Sequence, residues 1–489
     1  MNARKLHELP FSNSFAALPD SFYSRVQPTP FETPPELIHF NTAVADLLDL
    51  DPDCRNEARF ADIFSGKTAL PGFDPLAMLY AGHQFGHYVP QLGDGRAVLL
   101  GEIANRRGER WEVQLKGSGL TPYSRDGDGR AVLRSSIREY LCSEAMHGLG
   151  IPTTRALCLV GSRDEVYRER IEPGAMITRV APSHVRFGSF EVFFYRDRHD
   201  AIETLADYVV QHHYPDLAEL PAPDRYRRFL EAVVARTARL VAQWQAVGFA
   251  HGVLNTDNMS ILGLTLDYGP YGFMENYDPG FICNHSDYHG RYAFDQQPRI
   301  GLWNLSCLAQ ALLPLLEVEA AKAALAAYEA IFRREYDALM AAKLGLRQAD
   351  EHSVRLCDEL LVQMHHGGAD YTRLFRALSA GRGTATLRDE FIDRDRFDRW
   401  RQDYRQRLEI LNIDDDQRRA GMLTVNPKYV LRNYMAQIAI ERAQDAQDYS
   451  EIDRLLRLLQ RPFDEHPDMQ AYAEPPPDWA GGIQVSCSS

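Results

Sequence analysis

Two polar clusters between residues 251 and 269, separated by a short apolar segment, constrain this chain more than any other feature. The first reads HGVLNTDNMS (251–260) and the second LTLDYG (264–269), so Asn258 and Asp267 stand nine residues apart. The pattern predicts a loop, a short buried strand and a carboxylate at the end of that strand. An amide oxygen and a carboxylate presented together suit a hard divalent cation such as Mg²⁺. We therefore predict that Asn258 and Asp267 are metal ligands.

The same two ligand types hold the metal ions that bridge the phosphates of ATP in protein kinases. The kinase catalytic loop follows the pattern H-R-D-L-x-x-x-N, and His251 and Asn258 have the spacing of its first and last residues. Val253 occupies the position of the catalytic aspartate. The sequence therefore predicts a nucleotide site that keeps its metal ligands and lacks the usual base.

A glycine-rich turn and a lysine lie upstream and extend the comparison with kinases. The turn QLGDGRA (91–97) leads into an apolar run, and an alternating stretch over 110–116 ends at Lys116. Glycines allow backbone amides to approach phosphates, and a lysine neutralises part of the phosphate charge. Such a turn by itself is usually only a turn, but a lysine at the end of the second strand favours a phosphate site.

Residues 131–147 have apolar side chains at helical spacing, and Glu139 lies beside that apolar stripe. A half-enclosed carboxylate needs a cation to stay charged at modest cost, and Lys116 is the expected partner, as in the Lys–Glu pair of kinases. The alternative is a solvated Glu139 on the helix surface. Arg179 and Arg186 flank a break in the pattern, and two arginines facing Lys116 would form an anion clamp.

These features predict an α+β fold of the protein-kinase-like, bilobal type. The N-lobe would hold an antiparallel sheet of five strands and one long helix, and the C-lobe would be mainly helical. We divide the chain into an N-terminal wrap packed on the body (1–78), an N-lobe (79–181), a C-lobe with catalytic loop and activation segment (182–445), and a C-terminal helix with a mobile, cysteine-containing tail (446–489). A short helical pattern is also present near 36–50.

Composition excludes several classes of function. The net charge of −14 argues against nucleic-acid binding, and no apolar run has the length that spans a bilayer. The N-terminus lacks a signal-peptide core, which favours the cytoplasm, and we expect a monomer. The seven cysteines include no C-x-x-C pair, so neither a zinc site nor a disulfide framework is indicated.

Two histidine-containing patterns suggest metal sites only weakly. His83 and His87 are four residues apart, but neighbouring glycines make a helix improbable, and a structural pair is favoured over a metal pair. Cys283, His285 and His289 stand in the predicted activation segment. They fall short of the four ligands of a structural zinc site.

Several long and distinctive stretches give the chain a family resemblance. It resembles the selenoprotein O family, whose bacterial members have cysteine where some eukaryotic members have selenocysteine. The resemblance covers essentially the full length and rests on GHQFG (82–86), QLGDGRA (91–97), QLKGSGLTPYSRDGDGRAVLRSSIREYL (114–141), HGVLNTDNMS (251–260), LDYGPYGFME (266–275) and SCSS (486–489).

The resemblance implies a protein adenylyltransferase built on a pseudokinase fold. Such enzymes bind ATP in an orientation inverted relative to kinases, with Mg²⁺ or Mn²⁺. They transfer AMP to Ser, Thr or Tyr hydroxyls of protein substrates and release pyrophosphate. Matched position by position, the nucleotide contacts would be Gly93, Gly95, Arg96, Lys116, Asp128, Gly129, Arg179 and Arg186, with Lys116 paired to Glu139.

The resemblance also assigns roles in the loop and in the tail. Asp257 matches the proposed general base, and Asn258 and Asp267 match the metal ligands. Cys487 matches the selenocysteine position, and bacterial members can link it to a cysteine of the activation segment, here Cys283. Because Val253 cannot take a proton, Asp257 is the group that would orient or deprotonate the incoming hydroxyl.

Two alternatives stay open at the level of the sequence. One is a kinase-like phosphotransferase that transfers the γ-phosphate. The other is a non-catalytic pseudokinase that binds a nucleotide or a partner, for which Val253 is the best argument. The retained Lys116, Glu139, Asn258 and Asp267 argue against this second alternative, since a scaffold needs none of them.

Overall fold

The computed structural model describes residues 3–380 and 387–486. Its strands are β1 (Phe11–Ser12), β2 (Tyr23–Arg25), β3 (Glu36–Phe40), β4 (Leu76–Met78), β5 (Gly82–Gln84), β6 (His87–Val89), β7 (Ala97–Ala104), β8 (Arg110–Lys116), β9 (Ala131–Val132), β10 (Arg155–Tyr167), β11 (Ile171–Ala181), β12 (Phe249–Ala250) and β13 (Gly272–Phe273). Within the described residues, nine strands form one antiparallel sheet in the order β2-β4-β7-β8-β11-β10-β3, with β1 beside β7 and β9 beside β11. The ribbons β5-β6 and β12-β13 lie outside this sheet.

Helices dominate the second half of the chain. They are α1 (Thr42–Leu47), α2 (Phe60–Phe64), α3 (Leu133–Gly148), α4 (Gly188–Phe194), α5 (His199–His213), α6 (Ala222–Val247), α7 (Gln297–Ala311), α8 (Val318–Lys343), α9 (Glu351–Gly367), α10 (Tyr371–Ser379), α11 (Arg394–Ile410), α12 (Asp415–Val425), α13 (Asn433–Ala446) and α14 (Ser450–Leu459). Short 3-10 turns occur at Leu6–Glu8, Phe15–Ala17, Asp20–Phe22, Pro52–Asn56, Pro215–Leu217, Thr256–Asn258, Phe294–Gln296, Arg388–Glu390, Pro467–Ala473 and Asp478–Gly482. The antiparallel sheet combined with many helices confirms the predicted mixture of α and β structure.

The central strands are apolar on both sides because both faces of the sheet are covered. Successive side chains of a strand point to opposite faces. Along β7, Leu99 packs in the core that contains α3, whereas Val98 and Leu100 pack in a second core with N-terminal residues such as Phe60. This double burial explains the continuous apolar run that the sequence shows at this strand.

The first 78 residues supply part of the sheet, which the sequence pattern did not predict. They contain β1 to β4, and β3 pairs with β10 through Leu37 and Phe40. The stretch near 36–50, which has a helical pattern, begins as this strand and becomes helical only at α1, whose N-cap is Asn41. The segment expected to be an irregular wrap therefore contains strands that extend the sheet on both sides, and short helices that cover its second face.

Three elements converge on one end of the sheet and position polar side chains there. Lys116 ends β8 and is paired with Ile177 of β11, which places Arg179 beside Gln114. Helix α3 packs on β10 and β11 and buries Glu139. Gly248 caps the C-terminus of helix α6 in the left-handed conformation, with a φ of 71°. The chain then enters β12 and the loop that follows.

The described helices include none that combines the length and apolar character needed to cross a bilayer.

Candidate functional site

A buried cluster of ions lies where β8, β11, α3 and the 251–267 region meet. The Nζ of Lys116 is 2.5 Å from Glu139 Oε2 and 3.5 Å from Asp267 Oδ1. The Nη1 of Arg179 is 2.5 Å from Asp267 Oδ1 and 3.4 Å from Glu139 Oε1. The Nη1 of Arg186 also donates to Oδ2 of Asp267. The structure thus brings the three cations predicted to hold phosphate together with Glu139 and with the predicted metal ligand Asp267, and Glu139 is not a solvated surface residue.

Asp267 is the centre of this cluster. Its φ of 58° lies in the left-handed region, which is uncommon for a residue other than glycine. Burial alone would raise the pKa of Asp267, but the positive charges of Arg186, Arg179 and Lys116 hold that pKa well below its usual value. Asp267 is therefore a carboxylate at any physiological pH.

Among the five ion-paired residues the cations outnumber the carboxylates. The cluster contains three cations, Lys116, Arg179 and Arg186, against two carboxylates, Glu139 and Asp267. Both arginines are only 2 % exposed, and within the described part of the chain their Nε atoms have no hydrogen-bond partner. Because buried charge is costly unless it is paired, the arrangement favours an anion that supplies additional oxygen acceptors.

A cavity of about 490 Å³ opens in front of these ions. Its volume is within the range of small-molecule and cofactor pockets. Every residue predicted to contact nucleotide or metal lines it, namely Gly93, Gly95, Arg96, Lys116, Asp128, Gly129, Arg179, Arg186, Asn258 and Asp267. Glu139 and the predicted base Asp257 line it as well. Residues that are distant in the chain therefore line one cavity.

The glycine turn is packed too closely for side chains. At Gly93, where φ is 72°, an added Cβ would lie 2.4 Å from the ring of Tyr123. At Gly95, the added Cβ would lie 2.8 Å from the carbonyl oxygen of Tyr123. The absence of side chains lets the turn pack against Tyr123, and both glycines line the cavity.

Asp128 is held at the rim by an arginine that the sequence did not single out. The Nη1 and Nη2 of Arg168 donate to the two carboxylate oxygens of Asp128 at 2.7 and 2.9 Å. Sequence reasoning missed Gln114 as well: it receives a hydrogen bond from Arg179 and donates one to Asp94 Oδ2 at 3.0 Å. Its position two residues before Lys116 on one strand puts both side chains on the same face, and this was the available signal.

Asp257 lies in the 3-10 turn Thr256–Asn258 and is 6 % exposed. Its Oδ2 accepts a hydrogen bond of 3.1 Å from Gln84 Nε2, while its Oδ1 is buried without a partner among the described residues. Burial raises the pKa of Asp257 to about 7, against the opposing effects of the Gln84 hydrogen bond and the charge of Arg186. A carboxyl group that titrates near neutral pH is suited to accept a proton.

The residues expected to bind a metal have oxygen atoms to offer. Asn258 uses its Nδ2 to donate to the carbonyl of Val253 at 2.9 Å, which leaves Oδ1 as a ligand atom. Asp267 contributes an ionised carboxylate, and Asp257 also lines the cavity, although its Oδ1 is buried. All three are hard oxygen donors of the kind that Mg²⁺ and Mn²⁺ prefer.

The histidine patterns have other surroundings. His83 and His87 lie on the two strands of the β5-β6 hairpin, and His83 Nδ1 is 2.5 Å from Glu191 Oε2. Among the described residues, potential metal ligands converge at His83, Glu191 and Cys307, with ligand atoms within 4.8 Å of one another. That group includes none of Cys283, His285 and His289.

The predicted disulfide involves Cys487, which lies outside the described residues. Cys283 is 9 % exposed and donates to the carbonyl of Ala250 at 3.5 Å. The neighbouring tail does contact the same segment: His285 N donates to Val485 O at 2.8 Å, and Val485 is buried.

Comparisons with known proteins identify the family of this chain. The family model described as "Protein adenylyltransferase SelO" matches residues 5–460. A "Protein nucleotidyltransferase YdiU" of Thiobacillus denitrificans is 58% identical over 489 residues, which cover 99% of each chain. The relative of the same name from Thioalkalivibrio sulfidiphilus is 57% identical over 494 residues, covering 99% of this chain and all of the relative. The protein is a nucleotidyltransferase, and the chain belongs to the SelO family of protein adenylyltransferases.

Proposed function

We propose that this cavity binds ATP and a divalent metal, and that the enzyme transfers AMP to Ser, Thr or Tyr hydroxyls of protein substrates with release of pyrophosphate. The observation that carries the proposal is the buried cluster with three cations and two carboxylates at the wall of the cavity. We further propose a kinase-like bilobal arrangement in which the nucleotide is inverted, so that its terminal phosphates reach this cluster.

The cluster would stabilise the leaving group. In adenylyl transfer the hydroxyl attacks the α-phosphorus, the bond to the bridging oxygen breaks, and negative charge develops on the departing pyrophosphate. Lys116, Arg179 and Arg186 would take up that charge, and each contact made mainly in the transition state is worth about 3 kcal/mol by analogy with oxyanion-hole donors. Because Glu139 already fixes Lys116, this cation needs little reorganisation.

Phosphate binding would also change the state of Asp267. Its carboxylate now accepts from Arg179 and Arg186. Phosphate oxygens would compete for these guanidinium groups, since Arg–phosphate pairs are strong and directional. The exchange would release carboxylate oxygens of Asp267 toward a metal held together with Asn258 Oδ1. A bound Mg²⁺ or Mn²⁺ would neutralise phosphate charge and orient the reacting groups.

Asp257 would handle the proton of the incoming hydroxyl. Its raised pKa, about 7, makes it a stronger base than an ordinary aspartate, and the residue lines the cavity. Val253 lines the same cavity but offers no proton acceptor. Asp257 is therefore the group we assign to orienting or deprotonating the substrate.

The test uses ATP labelled at either the α- or the γ-phosphate. With Mg²⁺, label from the α position is expected to enter protein, and label from the γ position is expected to leave as pyrophosphate. Lys116→Met should abolish the transfer, whereas Lys322→Met, which changes an exposed lysine on α8, should not. Incorporation of only the γ label would show a phosphotransferase instead. No incorporation of either label, with ATP still bound, would indicate a nucleotide-binding scaffold.

A further inference from the structure

The side chains of a histidine, a glutamate and a cysteine converge outside the nucleotide cavity. His83 on β5, Glu191 on α4 and Cys307 on α7 each place one potential ligand atom within 4.8 Å of the others. These three residues are not among those that line the cavity. They come from three distant parts of the chain, so no spacing motif in the sequence indicates the cluster.

The fold itself holds the three elements against one another. Helix α4 packs against both β5 and α7. The backbone N of Ala81, directly before β5, donates at 3.0 Å to the carbonyl of Gly188 at the start of α4. Because backbone hydrogen bonding and helix packing make these contacts, the three side chains converge without the help of an ion.

Glu191 is buried with only one of its two carboxylate oxygens satisfied. Its side chain is 1 % exposed, and its Oε2 lies 2.5 Å from His83 Nδ1. Its Oε1 is buried and has no hydrogen-bond partner within the described part of the chain. Buried polar atoms normally have a partner, and an orphaned one points to a water or an ion that completes the site. The hydrogen bond with His83 therefore does not account for this carboxylate by itself.

A second orphaned oxygen and an aromatic shell surround the histidine. Tyr88 is the cross-strand partner of His83, and its Oη is also buried without a partner among the described residues. Three aromatic rings have centroids 5.3–5.9 Å from that of His83, namely those of Tyr88, Tyr195 and Trp303. An apolar shell of this kind limits solvent access to a metal and strengthens the bonds to its ligands.

The donor set selects the class of metal. Zinc binds imidazole nitrogen, thiolate sulfur and carboxylate oxygen, whereas Mg²⁺ prefers oxygen ligands alone. Zinc sites with three protein ligands leave a fourth position for water. Ligand atoms around one Zn²⁺ are about 3.5 Å apart at ordinary bond lengths. Because the three atoms here already lie within 4.8 Å of one another, small side-chain movements would suffice.

We propose that His83, Glu191 and Cys307 form a zinc site, separate from the proposed Mg²⁺ or Mn²⁺ site, with water as the fourth ligand. On binding, the Cys307 thiol gives its proton to solvent and His83 carries its proton on Nε2, so that Nδ1, a carboxylate oxygen and a thiolate hold the ion. The ion would join the β5-β6 hairpin to helices α4 and α7. This proposal does not depend on the proposed function.

Cobalt is the probe, because Co²⁺ replaces Zn²⁺ in tetrahedral sites and shows a charge-transfer absorption band when a thiolate binds it. Protein treated with a chelator and kept reduced with a phosphine is titrated with Co²⁺ in excess Mg²⁺. The wild type should develop the thiolate band. About one equivalent of Zn²⁺ should then remove the band, since thiolate ligands favour Zn²⁺.

Variants of the ligands and of other sites identify where the probe binds. Cys307→Ser should abolish the band and weaken Zn²⁺ binding by about a hundredfold or more, because it removes a direct ligand. His83→Ala should weaken Co²⁺ binding by at least about tenfold. Cys283→Ser and Asp267→Ala are the matched controls and should keep the band, since they change the other histidine-containing pattern and the proposed oxygen-ligand site.

Thermal unfolding shows whether each variant is folded, and Cys307→Ala replaces Cys307→Ser if the serine variant unfolds. Absence of the thiolate band in the wild type would overturn the proposal, and so would a band that persists in a folded Cys307 variant. Unchanged Co²⁺ affinity in His83→Ala would overturn the three-ligand site. These measurements use no ATP, so their outcome is separate from that of the AMP-transfer test.

Discussion

Arg179 Nη1 lies 2.5 Å from Asp267 Oδ1, although the two residues are separated by 88 positions in the chain. Arg179 is on β11 and Asp267 follows the loop after β12, so this contact joins the sheet to the helical part of the protein. It also links the group expected to bind phosphate with the group expected to bind metal.

Asp267→Ala should separate nucleotide binding from transfer. The variant lacks a metal ligand, so AMP transfer should fall by about a hundredfold or more. Three cations would remain against one carboxylate, and ATP without metal should still raise the melting temperature. The measurements are α-label incorporation and thermal unfolding with and without ATP. AMP transfer by Asp267→Ala at the wild-type rate would refute the assignment of Asp267 as a metal ligand.

Asp257→Asn should stabilise the fold in a pH-dependent way. The pKa of Asp257 is about 7 in the folded state and about 4 when unfolded. Between these pH values the folded state binds more protons at Asp257 than the unfolded state does. The contribution of Asp257 to the free energy of unfolding therefore falls as pH rises from about 4 to about 7. Asparagine does not titrate. The melting temperature of the variant relative to wild type should therefore be higher at pH 8 than at pH 5, and a constant difference would contradict the raised pKa.

The buried pair of Arg155 and Glu144 should contribute strongly to stability. Arg155 Nε and Nη2 donate to the two oxygens of Glu144 at 2.7 and 2.8 Å, and Glu144 is fully buried on α3. Glu144→Ala leaves a buried guanidinium without its partner and should cost about 3–5 kcal/mol. The exposed pair of Lys322 and Glu319 provides the control, since Glu319→Ala should cost about 0.5 kcal/mol or less. Urea unfolding measures the free energy of unfolding of both variants. An equal loss of stability in Glu144→Ala and Glu319→Ala would contradict the expectation.

The resemblance-based disulfide between Cys283 and Cys487 is also testable. The tail reaches the activation segment, because Val485 O accepts from His285 N at 2.8 Å. Treatment with a thiol oxidant should join the two sulfurs with loss of two protons and two electrons to the oxidant, and should change gel mobility without reductant. Cys283→Ser and Cys487→Ser should each abolish the change, whereas Cys54→Ser should not. Identical mobility of oxidised and reduced wild type would rule the link out.

Local spacing was enough to select the residues that now share one cavity. Asn258 and Asp267 were selected by their distance in the chain, and Lys116 by its place at the end of an alternating strand. Such short-range patterns survive folding because a strand and the loop after it fix the relative positions of their own side chains. Family resemblance added Asp257, Asp128 and the glycines, which local pattern alone marked only weakly.

The N-terminal strands were not predictable in the same way. Residues 36–40 have a sequence that suits either a helix or a strand, and pairing with β10 decides the outcome. Strand preference depends on cross-strand neighbours more than on the residue itself. Those neighbours are more than a hundred positions away, so no local pattern contains them.

The sequence, through short-range spacing and family resemblance, therefore indicated which chemical groups line the cavity: the lysine, the arginines, the amide and the carboxylates. Only the tertiary structure decided how those groups behave. Burial raises the pKa of Asp257 to about 7 while three cations lower that of Asp267, and the Gln84 amide meets Asp257 across 173 positions. The physical reason is that burial, pairing and charge are properties of neighbours in space, and folding chooses those neighbours.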